Sequence, residues 1–515
     1  MDTNLATVTS EGLDLDRFRL RRFIQDLPAD ELDVRDEKRD IAEVATVLDG
    51  NAKAVWFRNL GPEGAELVGN VAASRSRIAR AFGVAPQGLL PELLRRLKLP
   101  PQIVELTREQ APVQQVVLTG DAIDLTKLPV HLHHGSDGGL YISASIDYSH
   151  DRRTGWTNVG FRRLMLRGRA ETGADVTAPS DFKAIYESAV AAGETLPVSF
   201  VVGCWPTDLV AATMRVPVDE LGLVASLRGA PLPVVKSVTN DIRVPADAEW
   251  VIEGYLDQRG QVEAEGPFGE FLGYYGGVKR NPVFHVTAIT HRKDALFQTV
   301  TISGRHMANT DTATLETVRT EVNVWRMLEA VVREPVAVYA PVATGGMLTA
   351  RVALRQRTQG EARSAIMTIL GGTNVKNVSV VDSDIDIFSD EQMEWAMATR
   401  FQPDRDLVVM ERVSAIPLDP STGGAHVGGK FGFDLTVPFG KVGSFEWSAP
   451  APPRYEGRRF ASLGAALADG PKRFEELVAA LGSRDGREVV REIEDLRQGG
   501  RLVRDEQGRY MIPAR

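Results

Sequence analysis

The sequence predicts a multidomain α/β protein with a strand-rich middle, on three observations. Its 515 residues are more than one hydrophobic core organises. The hydrophobic pattern changes period near residues 112 and 311. A stiff stretch, Ser448-Ala449-Pro450-Ala451-Pro452-Pro453, sets off a last small unit. The expected divisions are an N-terminal α/β domain over 1–111, a β-barrel or sandwich over 112–310, a C-terminal α/β domain over 311–446, a linker over 447–456 and a module over 457–515.

In the first division Leu15-Asp16-Arg17-Phe18 opens a helical pattern, Ala54-Val55-Trp56-Phe57 reads as a strand, and 74–82 and 89–97 read as helices. The middle shows strands over 114–118, 141–146, 159–166, 199–202, 234–238, 250–256 and 283–289, punctuated by Gly, Asp and Pro. One helix is expected among them, with Ser180-Asp181 as a cap before 182–192 and Gly193 as its stop. Helical period returns over 314–328. Alternating strands and helices follow at 336–339, 347–352, 360–370 and 378–381, and Ser389-Asp390-Glu391-Gln392 is a capping-box sequence opening a helix to Arg400. In the last unit 460–468, 474–481 and 489–496 are amphipathic and 502–512 reads strand–turn–strand, an order that resembles a winged helix. Twelve Lys/Arg against ten Asp/Glu over 457–515 is not the basic surplus of a DNA reader, so a docking or dimerisation module is expected.

Composition excludes several classes. Hydrophobic residues at 43% and charged residues at 25% are ordinary for a globular protein, and no apolar run approaches the roughly 20 residues of a membrane span. The start, MDTNLATVTSEGLDLD, lacks the basic and apolar segments of a signal peptide, and Cys204 is the sole cysteine, so cytoplasmic residence is expected without disulfides or cysteine zinc sites. A net charge of −9 argues against nucleic acid as the main partner.

The most informative segment is Glu265-Gly266-Pro267-Phe268-Gly269-Glu270. Gly-Pro-Phe-Gly between two carboxylates reads as a rigid loop aiming both acids at one small volume. Carboxylates sharing a site tend to separate in pKa, so that one serves as acid while the other stays charged. Upstream, 141–149 and 156–167 flank His150-Asp151-Arg152-Arg153-Thr154-Gly155, a hairpin. Its second strand carries Asn158, Arg162 and Arg163, polar groups that need partners if buried. Strict alternation puts Asn158 and Arg163 on opposite faces; a bulge at Gly160 would bring them to one side.

Together these residues resemble the UbiD family of prenylated-flavin-dependent decarboxylases. The family's N-x-x-x-x-R strand matches Asn158 and Arg163, and its E-G-P-F-G-E loop matches Glu265 and Glu270. Val381-Asp382-Ser383-Asp384-Ile385-Asp386-Ile387 with Trp395-Ala396 and Thr399-Arg400, and Gly429-Lys430-Phe431-Gly432-Phe433-Asp434-Leu435-Thr436, resemble its C-terminal segments. The resemblance spans about residues 15–445. It implies a split β-barrel that binds prenylated FMN, and Asn158, Asp181 and Glu220 as ligands of Mn²⁺ or Mg²⁺ that bridges to the flavin phosphate. It further implies Lys430 as a second phosphate contact, Met214 packed near the flavin, K⁺ as a further ion, and a catalytic trio of Arg163, Glu265 and Glu270. In that trio Arg163 holds the substrate carboxylate, pairs with Glu265 and also meets the cofactor, while Glu270 delivers the proton that replaces CO₂. The implied partners are a flavin prenyltransferase as cofactor supplier and further copies of the chain, as dimer or hexamer through the C-terminal domain. The implied activity is reversible non-oxidative decarboxylation of an aromatic or heteroaromatic acid, phenazine-1-carboxylate among them. Alternatives are a polyprenyl-4-hydroxybenzoate decarboxylase of quinone synthesis and a winged-helix regulator that senses an aromatic acid. Loss of CO₂ from an sp² carbon leaves electrons the ring does not delocalise and side chains do not accept, which is why a cofactor is required.

Weaker signals compete. Gly424-Ala425-His426-Val427-Gly428-Gly429-Lys430 approaches a nucleotide-binding loop, but Phe431 stands where the magnesium-binding hydroxyl is needed. His131, His133 and His134 read as polar loop or interface residues rather than metal ligands. Cys204 reads as a buried small residue, and His306 as a possible substrate contact.

Overall fold

The structure, a computed structural model, describes residues 12–453 and 457–513. The first eleven residues, on which part of the signal-peptide reading rests, and 454–456 of the expected linker lie outside the described residues. The chain divides into two compact units, Met1–Thr436 and Val437–Arg515.

At the centre of the larger unit six strands close on themselves. Trp250–Leu256, Leu196–Val202, Tyr141–His150, Thr157–Leu166, Glu171–Ala174 and Val283–His291 are neighbours in that order, and the last pairs back to the first. Closure gives each of the six strands a partner on both sides. Ile142, Leu164, Val198, Phe200, Ile252, Leu256 and Phe284 share one buried cluster, with the Phe200 and Phe284 rings packed edge to face at 4.8 Å. Val116–Thr119 pairs with the far end of Val283–His291. The expected strand at 234–238 is not part of the barrel. Leu232–Lys236 joins Ile103–Glu105 and Arg243–Pro245 in a separate three-stranded sheet.

The expected helix between the strands is Asp181–Ala191, with the Ser180 hydroxyl accepting from the Lys183 N–H at 3.2 Å. Two further helices, Pro206–Thr213 and Glu220–Arg228, were not anticipated. Every residue of Glu220–Arg228 is buried, so the segment has no polar stripe to give it a readable period. Both helices are tied by Arg228, whose guanidinium reaches Asp208 at 2.5 Å and Asp247 at 2.6 Å, all three side chains being at most 2% exposed.

The N-terminal sheet runs Leu32–Arg35, Ala54–Leu60, Ala65–Gly69, Phe297–Gln298, so the chain leaving the barrel supplies its last strand. The C-terminal sheet runs Pro335–Tyr339, Thr349–Leu354, Asn377–Asp382, Val427–Asp434, Leu407–Ser414. Asp311–Leu328 and Glu361–Gly372 pack on it, sharing a core that includes Val318, Val322, Ile366 and Val380. Ser389 caps Asp390–Arg400 by accepting from the Gln392 N–H, while the Gln392 side chain accepts from Asp386 rather than from the cap residue itself. The smaller unit holds three helices, Leu463–Ala468, Phe474–Leu481 and Arg487–Gln498, and a short hairpin of Val503–Arg504 with Tyr510–Met511. Leu463, Leu467, Leu477, Val478, Val489 and Tyr510 form its core. Among the described residues no helix is long and apolar enough to cross a membrane.

Arg228→Met strands two buried carboxylates without a cation. The expected outcome is a loss of about 3–5 kcal/mol, read as a lowered urea midpoint of the larger unit.

Candidate active site

Glu265 ends the short strand Glu263–Glu265, and Glu270 follows Phe268–Gly269, which pairs with Tyr275–Gly276. Gly266, at φ +91°, takes a left-handed backbone that its lack of a Cβ permits. The loop 131–138 clamps this turn. Asp137 accepts from the Gly269 N–H at 2.9 Å and from the His134 N–H at 2.9 Å, and the Gly138 N–H donates to Pro267 O at 2.8 Å. A Cβ on Gly138 would lie 2.1 Å from Gly266 O, so only glycine permits that approach.

Arg163 projects from the barrel strand Thr157–Leu166 into the same place. Its Nε and Nη2 donate to Glu265 at 2.9 and 3.3 Å, and its Nη1 donates to Glu270 Oε2 at 3.2 Å. Nη2 also lies 2.9 Å from Asp175. Lys279 closes the circuit, 3.0 Å from Glu270 Oε1 and 3.7 Å from Asp175. The guanidinium stands 4.4 Å over the buried Phe268 ring, which in turn packs 4.4 Å from Tyr141. Burial opposes the charge on Arg163, but Asp175, Glu270 and Glu265 outweigh it and hold the guanidinium above its ordinary pKa. Burial likewise opposes ionisation of Asp175, yet Arg163 and Lys279 bring it down to about 2. A cavity of about 180 Å³ opens beside the cluster, walled by Phe161, Phe268, Phe271 and Ile302 with Arg163 and Glu270.

The expected bulge at Gly160 is corrected. The register slips in the partner strand, at Ser143 and Ala144 opposite Arg163, while Gly160 pairs regularly with Asp147. Gly160 serves a different purpose: a Cβ there would lie 2.7 Å from Asp147 Oδ1, so glycine makes room for that buried carboxylate. Asn158 and Arg163 accordingly line two different cavities.

The second cavity, about 600 Å³, is lined by Asn158, Asp181 and Glu220 together with Arg153, Trp156 and Arg215. The Asn158 amide nitrogen donates to Asp147 at 2.9 Å. Glu220 Oε2 accepts from the Val159 N–H at 2.6 Å. Burial pushes the Glu220 carboxyl up to about 8, the Val159 N–H works against this, and Asp147 and Asp181 add to it. Asp147 also sits 3.2 Å from Arg162, which lines the smaller cavity, so one carboxylate touches both sites.

Known proteins share this architecture. Models of the N-terminal, Rift-related and C-terminal domains of 3-octaprenyl-4-hydroxybenzoate carboxy-lyase match residues 30–97, 104–306 and 313–435. The chain belongs to the UbiD family. It is a carboxy-lyase of that family, and the smaller unit lies beyond the matched residues. An anhydromevalonate phosphate decarboxylase of Methanosarcina mazei is 33% identical, over 77% of this chain and 90% of that one. A phenolic acid decarboxylase of Bacillus subtilis is 30% identical, over 79% and 88%. The UbiD-class enzyme HmfF of Pelotomaculum thermopropionicum, solved with FMN, superposes with a TM-score of 0.79 at 30% identity, over 84% of this chain and 97% of that one. An evolved dimeric form of it, solved with prFMN, gives 0.76 at 29% with the same coverage.

Other expected site residues of this UbiD chain lie elsewhere. Lys430 stands within the strand Val427–Asp434, its ammonium on the carbonyls of Leu370 at 3.0 Å and Thr373 at 2.5 Å, where Glu361–Gly372 ends. The expected phosphate contact is corrected to a cation capping a helix C-terminus. The same placement removes the nucleotide-loop reading. Met214 packs in the core with Leu209, Val210 and Leu221, next to cavity-lining Arg215 but not itself in the lining. His306 pairs with Asp49 at 3.2 Å, with its side chain 59% exposed, and lines neither cavity. Cys204 is buried, and burial pushes its thiol up, as suits an inert core residue.

Three residues of the site were missed. Asp147 was visible as a lone acid in an apolar strand, a pattern that demands a partner. Asp175 and Lys279 gave no signal, because nothing in their neighbourhoods marks them from solvated loop charges.

His131 and His133 are buried, with Thr299 at 2.9 Å and Tyr141 O at 3.2 Å as partners. Among the described residues no group of three His, Cys, Asp or Glu stands ready for a metal. Burial lowers His131 from 6.5 to about 4. The unfolded chain therefore takes up the proton first, so stability is full above pH 6.5 and falls as pH drops toward 4. At pH 5 the loss from His131 is about 2 kcal/mol. Urea unfolding at pH 7 and pH 5 should show a smaller difference in His131→Gln than in the unmodified chain.

Proposed function

We propose that this chain catalyses reversible, non-oxidative decarboxylation of an aromatic or heteroaromatic carboxylic acid with prenylated FMN and a divalent cation. The observation that carries the reading is Arg163 held between Glu265, Glu270 and Asp175 at the wall of a cavity that also presents Phe161, Phe268, Phe271 and Ile302.

The donor set fits the cation. Asn158, Asp181 and Glu220 offer only oxygen, which suits Mn²⁺ or Mg²⁺. Burial raises Glu220 to about 8, and Asp147 and Asp181 add repulsion that a cation would relieve. Prenylated FMN, when bound, supplies the electron sink that side chains lack. The chain's own residues do the rest. Arg163 grips the substrate carboxylate, while Phe161, Phe268, Phe271 and Ile302 sandwich the ring and exclude water. The bond from ring carbon to carboxyl carbon breaks, CO₂ departs, and Glu270 gives its proton to that ring carbon. Two cations, Arg163 and Lys279, face three carboxylates in the cluster. A substrate carboxylate added to this excess favours uptake of a proton with it, which loads the cluster for the final step.

The phenolic acid decarboxylase relative supports an aryl acid, and a cavity of about 180 Å³ favours a compact ring over a polyprenylated one. Phenazine-1-carboxylate, pyrrole and furan carboxylates and hydroxybenzoates form the test panel. Cytoplasmic location, K⁺, a flavin prenyltransferase as supplier, and assembly as a dimer or hexamer through the C-terminal α/β domain belong to the same proposal.

Protein co-expressed with a flavin prenyltransferase is the material for the test. Glu270→Gln should keep the flavin absorbance and lose about 10²–10⁴-fold in CO₂ release. Glu220→Ala should lose metal and flavin together, by metal analysis and absorbance. Full activity in flavin-free Glu220→Ala protein would refute the cation assignment.

A further inference from the structure

Glu270 gives up a proton in every turnover of the proposed reaction, and that proton has to be replaced from solvent. Glu270 lines the smaller cavity, and its side chain is only 8% exposed. Its Oε2 is held by Arg163 Nη1 at 3.2 Å, and its Oε1 accepts from Lys279 Nζ at 3.0 Å. Gly276 leaves room for that orientation, since a Cβ there would lie 2.7 Å from Oε1. Lys279 is not part of the cavity lining, so it meets Glu270 from outside the cavity. It stands across from Glu265 in the ribbon of Glu263–Glu265 with Lys279–Asn281, between the exposed residues Val278 and Arg280. Its side chain is 25% exposed, more than any other charged group of the cluster.

The other members do not carry protons. Arg163 is held above its ordinary pKa, and a guanidinium does not let its proton go. Asp175 is held down at about 2, with Oδ1 taken by the Thr177 N–H at 3.1 Å and hydroxyl at 2.6 Å. Glu265 is buried with both oxygens on Arg163. Lys279 alone combines contact with Glu270, exposure, and a nitrogen able to lose a proton and regain it. An ammonium passes its proton to a carboxylate in only about one pair in 10⁶ at ordinary pKa values. Against a barrier-crossing frequency of about 6 × 10¹² s⁻¹, that fraction is ample for turnover at about 1–10³ s⁻¹.

Resting on the decarboxylase reading above, we propose that Lys279 relays protons from solvent to Glu270. The Nζ–H bond breaks, its electron pair stays on nitrogen, and the proton joins Glu270 Oε1. The neutral amine then takes a proton from hydronium or a buffer acid. A half-turn about the Glu270 Cγ–Cδ bond carries the new O–H to the cavity side, where the ring carbon receives it. Lys279 acts through Glu270 and never touches the substrate, so reloading proceeds while a ring fills the cavity.

The test uses full-length, flavin-loaded protein and phenazine-1-carboxylate, pyrrole-2-carboxylate, furan-2-carboxylate and 4-hydroxybenzoate, continuing with whichever acid releases CO₂ fastest. Lys279→Arg keeps the charge and the hydrogen bond but holds its protons; Lys279→Ala removes all three. Both should keep the flavin absorbance and bind the acid, by calorimetry, while kcat falls by about 10²-fold or more. Methylammonium should restore Lys279→Ala by about 10-fold or more, and tetramethylammonium, an equal charge with no proton to give, should not. A kcat in Lys279→Arg within about 3-fold of the unmodified protein overturns the relay, because charge alone then suffices. Equal effects of the two ions on Lys279→Ala, including no effect of either, overturn it as well. Should one variant fail to fold, the other decides alone. Absence of CO₂ release from all four acids by the unmodified protein defeats the decarboxylase reading and the relay with it. Release of CO₂ with either negative outcome defeats the relay alone.

Discussion

A guanidinium buried against three carboxylates is the constraint around which the rest of this molecule is arranged. Arg163 loses hydration on entering the wall of the cavity, and only close, well-aimed anions keep it charged there. Glu265 meets it through two parallel bonds, Glu270 and Asp175 through one contact each. That geometry demands that two chain segments about a hundred residues apart be fixed to within a few tenths of an ångström. The barrel strand supplies one side. The other is a turn that would wander were it not clamped by Asp137 and by the close approach of Gly138. Lysine at position 163 could not replace the fork, since it lacks the planar set of donors that serves several carboxylates at once.

Asp147 extends the same logic to the larger cavity. It orients the Asn158 amide through one oxygen and faces Arg162 with the other, so a single buried acid sets a side chain in each cavity. The cost of burying it is partly spatial, and Gly160 supplies the space. The arrangement holds the Asn158 nitrogen on Asp147. Glu220 arrives from the opposite side on a helix that is buried throughout and anchored at its far end by Arg228. The helix most remote from any readable pattern is thus the one that delivers a cavity-lining acid.

Much of this was legible in the sequence, and the parts that were not share a physical reason. The strands of the barrel, the Ser180 cap and the Ser389 cap are local features, set by alternation and by short-range hydrogen bonds. The glutamate loop was legible because Gly-Pro-Phe-Gly constrains its own backbone. The helix Glu220–Arg228 was not, because burial on every side erases the periodicity that identifies a helix. The bulge was assigned to Gly160, since glycine permits distortion; the distortion in fact lies at Ser143 and Ala144, held by the Ser143 hydroxyl's bonds to Thr299 and Val300. Lys430 matched a motif by letter, but its environment is set by the end of a helix sixty residues earlier in the chain. Asp175 and Lys279 acquire meaning only when folding brings them to Glu270.

Charge balance explains why an acidic protein can handle an acidic substrate. With a net charge of −9, the chain's long-range field repels a carboxylate. Screening confines that repulsion to roughly 8–10 Å at moderate ionic strength, so what decides binding is the composition of the last few contacts. There the cavity wall presents Arg163 and Arg162 together. Arg163 is not idle before the substrate arrives, because its existing partners already neutralise it. On the proposed mechanism, a substrate carboxylate displaces part of that pairing. The acid thus enters by exchange of ion-pair partners at Arg163 rather than by attraction to a bare cation, which is how a site inside an acidic protein can still favour an anion.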